Sequence, residues 1–398
     1  MSLAVKDLKR VDILIEGHVV DGAICHVELA KAFGDYYVRA AIVGLSGSED
    51  LLETCEWVGL SEMRSSAWWQ RRNANVVIAY GLSLSVQAAM AVRDARIRLI
   101  IEFDTVGEVS PRHWPMSARA RMADSRHKTI HGLRVHIHWI WQVLFGWWAI
   151  VDRFVSLIKC ADVVTVPSEE ARRNLCSLLS RLENGDQCGK ITVVPFAVRK
   201  EFTEASELPA KEKRIVVASR LDSHQKDPIL MVKVLDRFLK RNPGYSVSIF
   251  SRGECNIMEQ WAHRRPGVDY RVNVPRNTLR EALMQAQVIL YTSRFETVPI
   301  GGIEALCCGC TVVGPALPGI RELTREGEFG SVSKRRTARS LVAALELECK
   351  KWSEDRDPVQ IAKYWRDQGS LERVSRLWLD LAFENKSPKF AGALGARG

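Results

Sequence analysis

The sequence predicts an α/β protein of two domains, each built on a parallel sheet. Three observations carry that prediction. The chain has 398 residues, a length for which two separately cored domains are the default. Short apolar runs of β type alternate with stretches of helical apolar spacing from Val11 to Leu306. That alternation argues for parallel sheets covered by helices on both faces. Finally, Val288-Ile289-Leu290-Tyr291 reads as a buried strand and runs through Pro299, Gly301 and Gly302 into Ile303-Glu304-Ala305-Leu306, a helix start. Such a strand–loop–helix junction aims backbone N–H groups and the positive helix end at an anion.

Val11–Glu16 is the first expected strand, Gly17–Ala23 a loop and Cys25–Phe33 a helix. Val38–Leu45, Val76–Tyr80 and Leu99–Phe103 are further β-type runs. In open parallel sheets ligands sit at the carboxyl ends of the strands. Glu102 and Asp104 at one such end, with His18 and His26 near the first, are therefore candidates for acceptor contacts. The plain alternative for each is a strand-end acid or a structural histidine. Val163–Val166 precedes Ser168, a good N-cap with Glu169 and Glu170 in the first turn. The polar stretch Arg199–Lys213 is the expected domain boundary. It divides residues 1–198 from 199–369, and 370–398 forms a final helix and tail. The second domain opens on the strand Arg214–Asp222, then a helix from Ile229 to Leu239. Ser246–Phe250 is another strand, with Gly253 in its loop. Leu371–Phe383 has helical apolar spacing.

Composition narrows the function classes. Hydrophobic residues at 46% and charged residues at 26% suit a soluble globular protein. Met1–Lys9 has no signal-peptide pattern. The 10 cysteines are scattered, and the lone CxxC of Cys307-Cys308-Gly309-Cys310 has no second pair at zinc spacing. They read as reduced cysteines of a cytoplasmic protein. Asp355-Arg356-Asp357 looks like a metal-binding acid pair, but it lies in a charged turn before Pro358, and no metal is expected there. A net charge of +10 admits nucleotide, anionic lipid or nucleic acid as partner. Half of it comes from Pro111–Arg134, with six Arg/Lys against Asp124. Apart from histidines, the only aromatic ring in that stretch is Trp114, so it lacks a base-stacking surface and nucleic acid is not expected. Next, four Trp fall within ten residues, Trp139 to Trp148. A basic stretch followed by a Trp-rich apolar one fits a peripheral membrane surface over residues 111–148. A helix packed under a solvated basic loop is the alternative.

Two carboxylates, Glu296 and Glu304, bracket the Gly-containing junction with seven residues between them. Carboxylates repel an anion but suit hydroxyls on either side of it, as on a sugar and a ribose flanking a diphosphate. This stretch, Ser293 to Leu306, resembles the Glu-seven-Glu motif of family 4 retaining glycosyltransferases. Ala305–Gly314 and Pro318–Leu323 look like that family's continuation, and Arg220 with Lys226 resembles its basic pair. The resemblance implies a GT-B fold: two Rossmann-like domains with a donor cleft between them. It implies transfer of a sugar, with retention, from a nucleoside diphosphate sugar to a hydroxyl of a glycan or lipid-linked glycan, without a metal. Arg220 and Lys226 would hold the diphosphate, Glu296 the sugar and Glu304 the ribose. Thr297, Val298, Ile300, Gly301, Gly302, Gly22 and Gly253 would line the donor. The chain departs from the pattern: Asp21-Gly22 stands where two adjacent glycines are often found. Thr297 and Pro299 stand where glycines are usual, and Phe103 stands where a His usually precedes the Asp. Those departures motivate the alternative of a catalytically degenerate nucleotide-sugar or glycan binding module.

Overall fold

The computed structural model describes residues 9–19, 24–36, 38–47, 55–81, 83–104, 148–204 and 207–383. The chain forms two compact units. The first combines Met1–Asp104, Asp152–Arg199 and Ser370–Gly398. Its described strands are β1 (Arg10–Val19), β2 (Arg39–Gly47), β3 (Cys55–Trp57), β4 (Val76–Tyr80), β5 (Arg98–Glu102), β6 (Val163–Val166) and β7 (Ile191–Val193). They lie in the order β3-β2-β1-β4-β5-β6-β7, and every neighbouring pair is parallel. The helices are α1 (Ile24–Gly34), α2 (Leu60–Met63), α3 (Ser66–Arg72), α4 (Val86–Asp94), α5 (residues 148–160) and α6 (Glu169–Arg181). Strands such as β4 and β5 are apolar without alternation because both faces are covered. Ser168 caps α6 as expected, its Oγ accepting from Ala171 N at 3.1 Å.

The loop expected from Gly17 begins later. β1 continues to Val19, with His18 opposite Ser46 and Val19 opposite Gly47 across a register irregularity after Ile15. The reason is that the end of β2 offers these residues backbone partners, which a solvated loop would forgo. Gly22 and Pro111–Trp147 lie outside the described residues.

The second unit combines Thr105–Val151 and Lys200–Gly369, and its sheet lies in the latter segment. After a short α7 (Lys200–Thr203) come β8 (Glu212–Ser219), α8 (Pro228–Arg241), β9 (Ser246–Ser251), α9 (Asn256–Ala262), β10 (Val268–Val272) and α10 (Arg276–Gln285). Then follow β11 (Ala286–Leu290), α11 (Ile300–Cys307), β12 (Thr311–Pro315), α12 (Pro318–Thr324), β13 (Gly330–Ser333), α13 (Ala338–Glu354) and α14 (Pro358–Gln368). The sheet order is β10-β9-β8-β11-β12-β13, again parallel throughout. α8 shows how sequence sets an element. Pro228 starts it, Asp227 caps it through Leu230 N at 3.2 Å, and Met231, Val234, Leu235 and Phe238 recur on its buried face. Two residues of the Asp355–Asp357 turn make local contacts. Asp357 caps α14, accepting from Val359 N and Gln360 N at 2.8 and 3.1 Å. Arg356 grips the fully buried Glu348 at 2.8 and 3.0 Å.

The last described helix, α15 (Leu371–Phe383), belongs to the first unit. Its Val374, Trp378, Leu381 and Ala382 pack into the core formed by Val11, Ile13, Phe33, Ile42 and Ile78. Spaced at i, i+4, i+7 and i+8, they make one continuous apolar stripe.

Candidate functional site

The site is built where β11 ends. Tyr291, Thr292 and Ser293 are buried, and the loop Arg294–Pro299 then leads into α11. That helix starts at Ile300, three residues earlier than expected, so Gly301 and Gly302 lie in its first turn rather than in a loop. Pro299 pre-sets the entry with φ −71°. Helical glycine is normally unfavourable, but here packing demands it. A Cβ at Gly302 would stand 2.3 Å from Leu323 Cδ1. Below the loop, a Cβ at Gly319 would stand 1.9 Å from the Thr297 carbonyl oxygen, so only glycine lets α12 begin against that backbone.

A second loop, between β8 and α8, is lashed to the first. Arg294 N donates to Gln225 O at 2.8 Å and Gln225 Nε2 to Phe295 O at 2.9 Å. The Thr292 hydroxyl donates to Lys226 O at 2.9 Å. These bonds bring residues 70 apart in sequence together, and Lys226 Nζ lies 2.5 Å from Glu296 Oε1. Only 17% of the lysine side chain and 6% of the glutamate are exposed. Asp227 takes Arg294 at 2.8 Å and Arg336 at 2.5 Å on Oδ2.

Glu304, one turn into α11, is as buried as Glu296. Its Oε1 accepts from Arg276 Nη1 at 3.3 Å. Buried carboxylates without cations would be costly, and here each has one. Arg220 stands just past β8, exposed, with no side-chain ion pair among the described residues. Lys226, Arg220, Arg276, Arg294 and Arg336 thus outnumber Glu296, Glu304 and Asp227, and the junction is electropositive around two carboxylates. Gly253 has a packing reason of its own: a Cβ there would stand 2.7 Å from Asp222 Cγ. Thr297, Val298 and Ile300 follow the loop into the helix, with Val298 buried. Tyr291, which sequence reasoning passed over, has a buried hydroxyl with no hydrogen-bond partner. Burial first, then the charges of Glu296 and Glu304, push that phenol well above its usual pKa.

In the first unit, Glu102 ends β5 and its Oε2 lies 2.6 Å from His26 Nε2 on α1. Burial alone would lower His26. The Glu102 charge, its hydrogen bond and the charge of Asp104 outweigh that and raise the imidazole above its ordinary value. The Tyr80 ring meets His26 edge-on, with centroids 5.7 Å apart. The structure therefore joins His26, Glu102 and Asp104. The His18 side chain lies outside the described residues. Arg276 and Arg336 had no sequence signal beyond being arginines, since their partners are 28 and 109 positions away.

Two α/β units, each with one parallel sheet, together with the solved structures that superpose on them, define the GT-B fold. Residues 198–365 match the family described as Glycosyl transferases group 1. Solved structures agree on the fold. Alr3699/HepE of Anabaena, in complex with UDP-glucose, superposes with a TM-score of 0.65 at 16% identity, over 94% of this chain and 98% of that one. Sucrose-phosphate synthase from Thermosynechococcus elongatus gives 0.61 at 13%, over 94% and 98%. WaaG, a glycosyltransferase involved in lipopolysaccharide biosynthesis, gives 0.62 at 10%, over 94% and 100%. No match is found among curated protein sequences.

Proposed function

We propose that the protein is a retaining glycosyltransferase that moves a sugar from a nucleoside diphosphate sugar to an acceptor hydroxyl. The observation that carries the reading is the pair of buried carboxylates, Glu296 and Glu304, flanking a helix start and each matched to a cation. Helix starts favour phosphate, and ionised carboxylates accept from hydroxyls. A diphosphate between a sugar and a ribose meets both demands. Glu304 takes the ribose and Glu296 the sugar. Arg220 and Lys226 take the diphosphate, aided by backbone N–H groups from Thr297 to Gly302 except Pro299, which has none. Gly22 and Gly253 complete the donor set.

As the glycosidic bond breaks, the leaving diphosphate gains negative charge. Two fixed cations lower that barrier, so the chemistry needs no metal. No carboxylate is assigned as nucleophile. The leaving phosphate oxygen itself takes the proton of the incoming acceptor hydroxyl, on the face it is leaving, which retains configuration. Asp104, Glu102 and His18 are proposed acceptor contacts. The acceptor class is a glycan or lipid-linked glycan. Two features support a lipid-linked one. One is the basic, Trp-rich stretch at residues 111–148, which ends on Trp148, 67% exposed. The other is the likeness to WaaG. Contact through that stretch would be peripheral, from the cytoplasmic side; among the described residues no helix is long and apolar enough to cross a membrane.

UDP-glucose, bound in the Anabaena structure, makes a uridine diphosphate sugar the first donor to test. A thermal-shift panel of UDP, GDP, ADP and TDP and their sugars should give one base that raises the melting temperature, because a ligand of the folded state stabilises it by mass action. Transfer or hydrolysis of that sugar, with the anomer read by NMR, completes the test. If no nucleotide stabilises the protein, the donor reading is wrong. Stabilisation without turnover would favour a binding module, the reading that Pro299 motivates.

A further inference from the structure

Cys176 lies in the second half of α6, and Cys188 in the 3-10 turn Gly185–Lys190 that follows that helix. Between them the chain reverses through Glu183, which takes the left-handed region at φ 58°. Cys188 thereby returns to the side of the helix. Its Sγ lies 3.7 Å from the Cys176 carbonyl oxygen, and the two thiols are hydrogen-bonded to each other. Both residues are half-buried and keep some surface in solvent. The other clustered cysteines, Cys307, Cys308 and Cys310, are fully buried.

Arg172 stands one turn before Cys176 on the same helix. Its Nε donates to Glu169 Oε2 at 2.9 Å, and its charge acts on both sulfurs. A cation beside a sulfur favours the thiolate. Burial, and then the neighbouring Cys188 sulfur, push the Cys176 thiol up to about 11. The part that comes from Cys188 vanishes once that sulfur is capped, whereas Arg172 stays. Cys176 is thus set to react second.

We propose that Cys176 and Cys188 form a redox-active dithiol, a site of reversible disulfide formation by exchange with low-molecular-weight disulfides such as oxidised glutathione. The Cys188 sulfur attacks one sulfur of that disulfide. A Cys188–glutathione bond forms, the glutathione S–S bond breaks, and one glutathione leaves as a thiol with the cysteine's proton. Cys176 then attacks the Cys188 sulfur, and the second glutathione leaves with the second proton. Two cysteine thiols lose two electrons, and one disulfide becomes two thiols. In a reducing compartment the pair stays open and closes under oxidative load. The bond staples α6 to the turn that feeds β7, whose continuation carries Val194 and Ala197 into the core of the first unit. It closes a short loop between positions 12 apart and so restricts the unfolded chain. None of this depends on the nucleotide reading of the second unit.

The test equilibrates the folded wild-type protein with graded ratios of reduced to oxidised glutathione. Acid quenching and alkylation trap each state, and peptide mass spectrometry reads it. A cross-link between the peptides of Cys176 and Cys188 should appear as the ratio falls and disappear as it rises, while Cys307, Cys308 and Cys310 stay reduced. Cys176→Ser should stop at a glutathione adduct on Cys188. The cross-linked wild type should melt above the reduced protein, a rise that Cys176→Ser lacks. Glutathione adducts on both cysteines of the wild type with no cross-link would overturn the proposal. So would an unmodified pair under conditions that oxidise the half-buried Cys55 or Cys160. A cross-linked protein that melts below the reduced one would overturn it too, because the native turn would then not accommodate the bond.

Discussion

Removing Lys226 should destabilise the second unit even without substrate. At 2.5 Å from Glu296 the gross attraction is roughly 6–7 kcal/mol at an effective dielectric of about 20. Taking both charges out of water offsets most of it. The pair therefore adds little net stability, but breaking it is costly, because Glu296 stays 6% exposed with its charge uncompensated. Loss of one partner of a buried pair costs about 3–5 kcal/mol. The 17% exposure of the lysine places Lys226→Met at or below the bottom of that range. For a unit of this size, about 3 kcal/mol corresponds to a fall of roughly 6–12 °C in melting temperature. The double variant Lys226→Met with Glu296→Gln should recover much of the loss, giving a clear coupling energy in a double-mutant cycle. The assay is thermal and urea unfolding of all four proteins without nucleotide. If Lys226→Met melts within about 1 °C of wild type, or the two substitutions simply add, the pair is not the closed unit described here.

Glu304→Gln should weaken binding of the free nucleoside diphosphate, whereas Glu296→Gln should leave it nearly intact and impair transfer; calorimetry and turnover on both variants decide, and the reverse pattern would mean the two roles are exchanged. Arg220→Ala should fold normally, being exposed, and raise the transfer barrier by roughly 2.7–4 kcal/mol; wild-type turnover would remove Arg220 from the leaving-group site. His26 is raised by Glu102 and Asp104, so its stabilising contribution is full below its unfolded value of about 6.5 and is lost as pH rises through the higher folded value. NMR titration should show the imidazole pKa falling in Glu102→Gln, and an unchanged value would contradict the pairing. Anionic liposomes should co-sediment the protein at low salt and release it at high salt, with Arg119, Arg121 and Arg126 charge reversal abolishing the effect; no binding at low salt would point to a soluble acceptor.

Much of the fold was legible because buried parallel strands advertise themselves. Val76–Tyr80 has the expected bounds, and β5, β9 and β11 differ from expectation by one or two residues. Ends governed by partners were harder. β1 runs past Gly17 because β2 pairs with it. α11 starts at Ile300 and carries Gly302 where a Cβ would stand 2.3 Å from Leu323 Cδ1, a contact no local propensity contains. The junction holding Glu296 and Glu304 could be seen because both lie in one contiguous stretch. Their cations could be seen only in part: Lys226 through its resemblance, with Arg220, to a family's basic pair, Arg276 not at all. The His26–Glu102 pair joins positions 76 apart, and Tyr291 looked like one more apolar residue of a strand until its hydroxyl was found without a partner.

The helix α15 has a consequence for how the protein comes into being. The described sheet of the second unit and the helices that cover it are contiguous, from Lys200 to Gly369, so that sheet can form without waiting for any later segment. The first unit, though most of it is synthesised earlier, lacks Val374, Trp378, Leu381 and Ala382 of its core until α15 is made. The usual order, in which the N-terminal domain folds first during synthesis, is therefore reversed. The early chain must wait, with the apolar face of β1 and α1 uncovered, through the translation of about 170 further residues, on the order of ten to thirty seconds at typical rates. A fragment ending at Arg199 would remain in that waiting state permanently. A stop codon just before Leu371 would damage the half of the protein that was made first.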